Sequence, residues 1–99
     1  MVQVKWTLLA TEDLKSIFEY IARDSKRYAK MQVLRLRERT KILNTHPLAG
    51  KPVPEYNDEM YRELVEGRYR IIYKLVSPKR IDILTIHHSA RDLTRRNLE

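Results

Sequence analysis

The chain has 99 residues, of which 42% are apolar, and it carries 20 Lys and Arg against 13 Asp and Glu, a formal net charge of +7. This size and composition fit one folded domain over residues 1–99 and argue against disorder. No apolar run reaches the roughly 18 residues that span a bilayer. The lack of cysteine excludes disulfides and thiolate chemistry. We therefore expect a cytoplasmic domain with no membrane segment, whose charge attracts phosphates, anionic lipid or an acidic protein.

The N-terminal part predicts a strand followed by an amphipathic helix. Apolar residues first alternate with polar ones, as in a half-buried strand: Val2, Val4 and Trp6. Over residues 10–22 the apolar period becomes helical, with one face formed by Leu14, Ile17, Phe18 and Ile21. Either Thr7 or Thr11 can cap the start of this helix, because both are short hydroxyl side chains that can accept a backbone N–H.

A second helix is predicted to begin after Ser25, which can serve as its N-cap, and to run to about Asn44. Its apolar stripe consists of Ala29, Val33, Leu36, Thr40 and Leu43. The short join at residues 23–25 makes the two helices antiparallel neighbours. Met31 and Leu34 lie away from the stripe on a face rich in Lys and Arg, so this face is either an ordinary solvated surface or a partner-binding seam.

Three β-like runs follow a connection rich in proline. The runs cover residues 61–66, 69–76 and 81–88, and they are separated by Gly67 and by residues 77–79, which predicts an antiparallel meander. Together with the N-terminal strand and the helical hairpin, this pattern predicts an α+β fold with one small sheet covered on one face by the helices. The last two runs are the most apolar, so we expect them to be the central strands.

The candidate functional side chains lie on these three runs. Arg62 and Arg70 occupy neighbouring strands, and we expect them to converge on one cationic surface. A nearby carboxylate would make them structural, whereas an open pair would hold a phosphate or an acidic side chain bidentately. The carboxylates considered as partners are Glu63, Glu66 and Asp92.

The histidines are the candidate proton carriers, because histidine is the side chain whose ordinary pKa lies near neutrality. His87 and His88 are consecutive on a strand, so one is expected to point toward the helices and the other outward, and the sequence leaves open which does which. The sequence has no glycine-rich phosphate loop, no metal-spaced cluster and no nucleophile with its base. This pattern indicates chemistry without cofactor or metal, or pure binding.

Short motifs in a fixed order cover nearly the whole chain. They are Trp6 with Ala10 and Asp13-Leu14, then Ile17 and Tyr20-Ile21-Ala22, Leu43 with Pro47, Gly50 with Val53-Pro54-Glu55, Arg62-Glu63-Leu64, Tyr69-Arg70-Ile71-Ile72-Tyr73, Ile86-His87-His88 and Arg91-Asp92-Leu93. In order and spacing they resemble the RelE/ParE superfamily of toxins from bacterial type II toxin–antitoxin modules, and the ParE-like branch most. The resemblance implies a helical hairpin packed on a small antiparallel sheet, and a cognate antitoxin that wraps the toxin in a hetero-oligomer.

The resemblance also implies one of two activities. ParE-like members poison DNA gyrase by protein contact, whereas RelE-like members enter the ribosome and cut mRNA as metal-independent endoribonucleases. For the nuclease alternative, phosphate clamping and proton transfer would be carried by Arg62, Arg70 and Arg91 and by His87 or His88. Many nuclease members end with an aromatic residue, yet this chain has none after Tyr73. Its ending, Arg91-Asp92-Leu93, looks more like the ParE type. The resemblance therefore favours gyrase inhibition, with mRNA cleavage as the alternative.

Overall fold

The computed structural model describes residues 1–89 and residue 93. Its elements are β1 (Gln3–Trp6), α1 (Leu8–Ala22), α2 (Lys26–Thr40), a 3₁₀ turn (Lys41–Asn44), β2 (Lys51–Pro52), β3 (Tyr61–Glu66), β4 (Tyr69–Ser77) and β5 (Arg80–His88). The strands form one sheet in the order β1-β5-β4-β3-β2. The predicted α+β fold is confirmed, and β4 and β5 are interior strands as expected. The sheet has one strand more than predicted, because the two residues of β2 pair with β3.

Side-chain caps fix where both helices begin. The hydroxyl of Thr7 and the hydroxyl of Ser25 each accept a backbone N–H from three residues further along, at 3.1 Å. Thr7, and not Thr11, is therefore the cap, and α1 begins two residues before the predicted start. Thr7 also donates its hydroxyl to the carbonyl of Ile83 at 2.9 Å, which joins the start of α1 to β5. Within the described residues, no helix has the length and apolar character needed to cross a membrane.

β1 is the outer strand of the sheet on one side, and it pairs with β5 in parallel. β1 ends at Trp6, which pairs with Ile83 of β5, and beyond this point helix α1 lies beside β5. The carboxylate of Asp13 accepts the backbone N–H of Ile86 at 3.1 Å and a hydrogen bond from the hydroxyl of Thr85. One side chain therefore satisfies the edge of β5 where no neighbouring strand is present.

Both faces of the sheet are covered. The helix face packs against a core whose largest members are Leu14, Leu36, Leu43, Leu64, Ile71, Tyr73, Ile81, Ile83 and Ile86. The opposite face carries a smaller apolar cluster formed by Val53, Ile72, Leu84 and Leu93. The prediction of one covered face is thus incomplete, because the near-continuous apolar runs of β4 and β5 place apolar side chains on both faces. The connection between β2 and β3 covers the second face.

The helical stripes agree with the predicted ones. Ala29, Leu36 and Thr40 of α2 are buried, whereas Met31 and Leu34 are exposed to 37% and 60%. The core therefore uses only one side of α2, and its cationic side faces solvent.

Candidate functional site

The strand register places Arg62 and Arg70 on opposite faces of the sheet. In the β3–β4 pairing, Arg62 lies opposite Tyr73 and Arg70 lies opposite Val65. Side chains alternate along a strand, so positions 62 and 65 point in opposite directions, and Arg70 shares the face of Val65. The predicted convergence of the two guanidinium groups is therefore wrong, because neighbouring strands bring two residues together only when their register puts them on the same face.

On the helix side, Arg62 holds the connection that follows α2. Its Nε and Nη2 donate to the carbonyl of Gly50 at 3.1 and 2.9 Å. The hydroxyl of Tyr73 accepts the N–H of Gly50 at 3.0 Å and donates to the carbonyl of Pro47 at 2.9 Å. Burial raises the pKa of Tyr73, which keeps this hydroxyl protonated and able to donate. Arg62 and Tyr73 therefore fix residues 47–50 against the sheet.

On the opposite face, Arg70 binds two carboxylates. Its Nη1 and Nη2 donate to the two oxygens of Glu55 at 2.6 and 2.7 Å, and its Nε donates to Oε2 of Glu63 at 2.6 Å. The side chains of Arg70, Glu63 and Glu55 are exposed to only 11%, 4% and 26%. We call these three residues the Arg70 cluster. It holds one cation and two anions, so its own charge is negative.

The electrostatics of the Arg70 cluster favour the charged forms of Arg70 and Glu55. Hydrogen bonding from Arg70 lowers the pKa of Glu55 below its ordinary value. Hydrogen bonding to Glu55 raises the pKa of Arg70, and burial opposes that rise only in part. Two carboxylates already occupy both edges through which this guanidinium can bind an oxyanion bidentately. A phosphate could reach Arg70 only by displacing one of them.

The two histidines diverge, as consecutive strand residues do. His87 pairs with Arg70 in the β4–β5 register and is 2% exposed. His88 lies on the helix side, where its ring packs edge-on against Tyr69 with centroids 5.6 Å apart. The histidine that points away from the helices is thus buried, because the second face is covered as well. Arg91 and Asp92, which the sequence also indicates, lie outside the described residues.

Glu55 is the member of the Arg70 cluster that the sequence does not indicate. It lies in an irregular connection, 15 residues before Arg70, where no periodicity predicts a contact. Glu63, in contrast, is among the carboxylates that sequence reasoning offers as partners, and the structure confirms it. The indication for Glu55 is indirect. A buried guanidinium can bind a carboxylate bidentately on each of two edges, so it generally needs more than one acceptor.

A groove between β1 and α2 forms a second candidate surface. It has a volume of about 290 Å³ and is lined by Val4, Trp6, Leu34, Arg37, Glu38, Thr40, Lys41 and Asn44. The guanidinium of Arg37 lies 5.6 Å from the centroid of the Trp6 ring, within the range of a cation–π contact. In the part of the chain that the structure describes, β1 has no strand neighbour on this side. The groove therefore combines apolar side chains, cations and a free strand edge, which suits an extended segment of another protein.

Comparison with known proteins agrees with this fold. The family model that matches the chain is that of the ParE toxin of the type II toxin-antitoxin system parDE, and it covers residues 4–93. Among solved structures, the chromosomal ParDE toxin–antitoxin system of P. aeruginosa is 26% identical, with a TM-score of 0.73 over 89% of this chain and 96% of that one. The RelBE2 complex of Mycobacterium tuberculosis is 22% identical, with a TM-score of 0.63 over 88% of this chain and 96% of that one. No curated protein sequence matches the chain.

A third solved structure, the YoeB/ParE toxin of Agrobacterium tumefaciens, is 18% identical, with a TM-score of 0.58 over 88% of this chain and 98% of that one. At this level of identity the likeness to this toxin and to RelBE2 concerns the fold.

Proposed function

We propose a function from the premise that the chain belongs to the ParE toxin family of type II toxin–antitoxin systems, whose model matches residues 4–93. The chain is a toxin of that family. Our proposal is that it inhibits DNA gyrase through protein contact, and that it does so without cutting RNA.

The observation that carries this proposal is the state of Arg70. Cleavage of RNA without a metal requires activation of the 2′-hydroxyl, neutralisation of charge on the phosphorane and protonation of the leaving oxygen. Arg70 has the position of a phosphate-binding residue in the nuclease alternative, yet it is bound to Glu55 and Glu63 and almost excluded from solvent. Its charge is compensated before any substrate arrives.

Among the other candidates, His87 is buried beside Arg70, whereas Arg62 and His88 lie far apart, and both placements support binding over catalysis. Arg62 and His88 share the helix side of the sheet, but they lie opposite Tyr73 and Tyr69, four residues apart on β4. At about 3.3 Å per residue this offset is roughly 13 Å along the strand. A proton carrier must come within hydrogen-bond distance of the reacting phosphate, so these two side chains do not form a compact catalytic group.

We further propose that a cognate antitoxin neutralises the chain in a hetero-oligomer. One solved relative is a ParDE toxin–antitoxin system, and another is the toxin–antitoxin complex RelBE2. In this chain the groove between β1 and α2 offers Trp6 and Leu34 as apolar contacts and Arg37 and Lys41 as cations. An antitoxin segment with apolar and acidic residues would complement all four.

Two assays on the purified toxin test the proposal. One measures supercoiling of relaxed plasmid by DNA gyrase, and the other measures the integrity of mRNA in a reconstituted translation reaction. We expect inhibition of supercoiling with intact message, and reversal by the cognate antitoxin. Message cut at ribosome-positioned codons, with supercoiling unaffected, would overturn the proposal. The variant His88→Gln gives a further check: inhibition through protein contact needs no proton carrier, so it should be unchanged, whereas RNA cleavage that used His88 would be lost.

A further inference from the structure

The net positive charge of residues 1–89 is concentrated on one helix. The segment of residues 26–41, which is α2 and the first residue after it, contains seven Lys and Arg and one acidic residue, Glu38. The remainder of residues 1–89 contains ten basic and ten acidic residues. The net charge of residues 1–89 therefore comes entirely from α2 and Lys41, and the rest of this part of the chain is balanced.

Most of these cations are exposed and have little compensation. The exposed ones are Lys26, Arg27, Lys30, Arg35, Arg37 and Lys41. Glu38 forms an ion pair with Lys41 at 2.7 Å, and Arg39 is half-buried and donates to the carbonyl of Val65 at 3.3 Å. Because an exposed ion pair is worth little, Glu38 reduces the local field only near the C-terminal end of α2.

The cations occupy both sides of the exposed half of α2. At 3.6 residues per turn, Lys30 and Arg37 lie on one flank of the helix and Arg35 lies on the other, with the buried Leu36 at the back. Arg37 lines the groove beside β1. A single peptide segment in that groove would meet only the first flank, so it would leave Arg35 without an anionic partner.

A DNA duplex meets both flanks at once. The major groove is about 12 Å wide, close to the diameter of about 10–12 Å of a helix with its side chains, and a phosphate strand runs along each side of it. The 15 residues of α2 extend for about 22 Å. Duplex DNA carries one negative charge per roughly 1.7 Å of axis, so a duplex segment of this length carries on the order of a dozen phosphates, part of which face the helix.

We propose that the outer face of α2 binds duplex DNA through its phosphates, independently of base sequence. The inference deepens the proposed function and rests on it for the choice of duplex DNA, since gyrase acts on duplex DNA and a toxin that also holds DNA would be retained at its target. The binding itself does not require gyrase. A failure of DNA binding and a failure of gyrase inhibition are therefore separate results.

The test compares two triple variants of the full chain that have the same net charge. Arg27→Gln, Lys30→Gln and Arg35→Gln remove three cations of α2 that are exposed. Lys5→Gln, Lys15→Gln and Lys79→Gln remove three exposed cations elsewhere. Affinity for a fluorescent 30-base-pair duplex of mixed sequence is measured by anisotropy at several KCl concentrations, in the absence of gyrase.

We expect the wild-type chain to bind with a steep salt dependence. The α2 triple variant should have a slope of log affinity against log salt that is shallower by about 2.7, which is three contacts at 0.9 each, and an affinity lower by on the order of a hundredfold at 0.1 M salt. The matched control should keep the wild-type slope. A charge-preserving variant, Arg27→Lys with Lys30→Arg and Arg35→Lys, should also keep it.

Three results would overturn the inference. Equal loss in both triple variants would mean that net charge, and not the α2 face, attracts DNA. Full DNA binding by the α2 variant combined with weakened antitoxin binding would assign this face to an acidic protein. Loss in a charge-preserving variant whose circular dichroism spectrum is that of the wild type would mean that binding depends on the identity of these side chains and not on their charge.

Discussion

At the scale of single residues, the environment of Arg70 decides what this side chain can do. A guanidinium on an open strand would attract phosphate, but here two carboxylates and a closed second face turn it into a structural group. Buried ion pairs of this kind add little net stability, because desolvation offsets most of the Coulombic attraction. Removing Arg70 is nevertheless costly, since the buried Glu63 then keeps only the exposed Lys51, whose Nζ lies 3.9 Å from its Oε1, as a cationic partner.

Arg70→Met should lower the free energy of unfolding by about 3–5 kcal/mol, because the buried Glu63 would lose its hydrogen-bonded cation and keep only the exposed Lys51 at 3.9 Å. Adding Glu63→Met should restore most of this loss, since Glu55 is the more exposed carboxylate and can turn toward solvent. Urea unfolding of the two variants and the wild type measures the effect. A double variant no more stable than Arg70→Met alone would contradict the structural role.

Stability should also depend on pH through Glu55. Its pKa is lower in the folded chain than in the unfolded one, so the unfolded state binds more protons in the acidic range and stability rises with pH there. The contribution is present above the ordinary pKa of 4.5 and is lost as the pH falls through the lower, folded value. Glu55→Gln should therefore flatten the acid limb of the unfolding free energy, whereas the same change at the exposed Glu59 should not. Parallel acid limbs for wild type and Glu55→Gln would refute this.

At the scale of elements, Thr7 connects three parts of the fold. It ends β1, caps α1 and donates its hydroxyl to β5. This single side chain explains why the helix begins directly after a strand of only four residues. Asp13, two turns further along α1, then supplies the acceptor that β5 lacks beyond the end of β1.

Thr7→Ala should cost about 1–2 kcal/mol, the upper part of the range for an N-cap, because the bond to β5 is lost together with the cap. Thr7→Ser retains both hydrogen bonds and is the matched control. Thermal unfolding followed by circular dichroism measures both variants. Wild-type stability in Thr7→Ala would mean that the hydroxyl holds neither element.

The helices and β1 follow from sequence periodicity, because each side of these elements has a distinct burial that the apolar pattern records. The strands β3, β4 and β5 follow from their β-like apolar runs and from the turn residues that separate them. The pairing of Lys51–Pro52 with β3 does not follow from the sequence, since a strand of two residues is too short to show an alternating pattern. The opposed directions of Arg62 and Arg70 depend on the register of the β3–β4 turn, which the sequence leaves undetermined. Glu55 reaches Arg70 from an irregular connection, so only the three-dimensional path of the chain brings them together.

At the scale of the whole molecule, charge and shape divide the toxin into distinct surfaces. The sheet face beside Arg70 is covered and its cation is compensated, whereas α2 carries the uncompensated charge on the opposite, helical side. The groove between β1 and α2 adds apolar contact area next to that charge. The exposed surfaces of α2 and the β1 edge are therefore the ones on which the proposed contact with partners relies.

The most direct test of this account is supercoiling by DNA gyrase in the presence of the double variant Arg70→Met with Glu63→Met, after its fold has been checked by circular dichroism. We expect the double variant to inhibit supercoiling at the same concentration as the wild-type toxin, because the Arg70 cluster supports the fold and takes no part in contact with the target. A folded double variant without inhibitory activity, beside an active wild type, would contradict it.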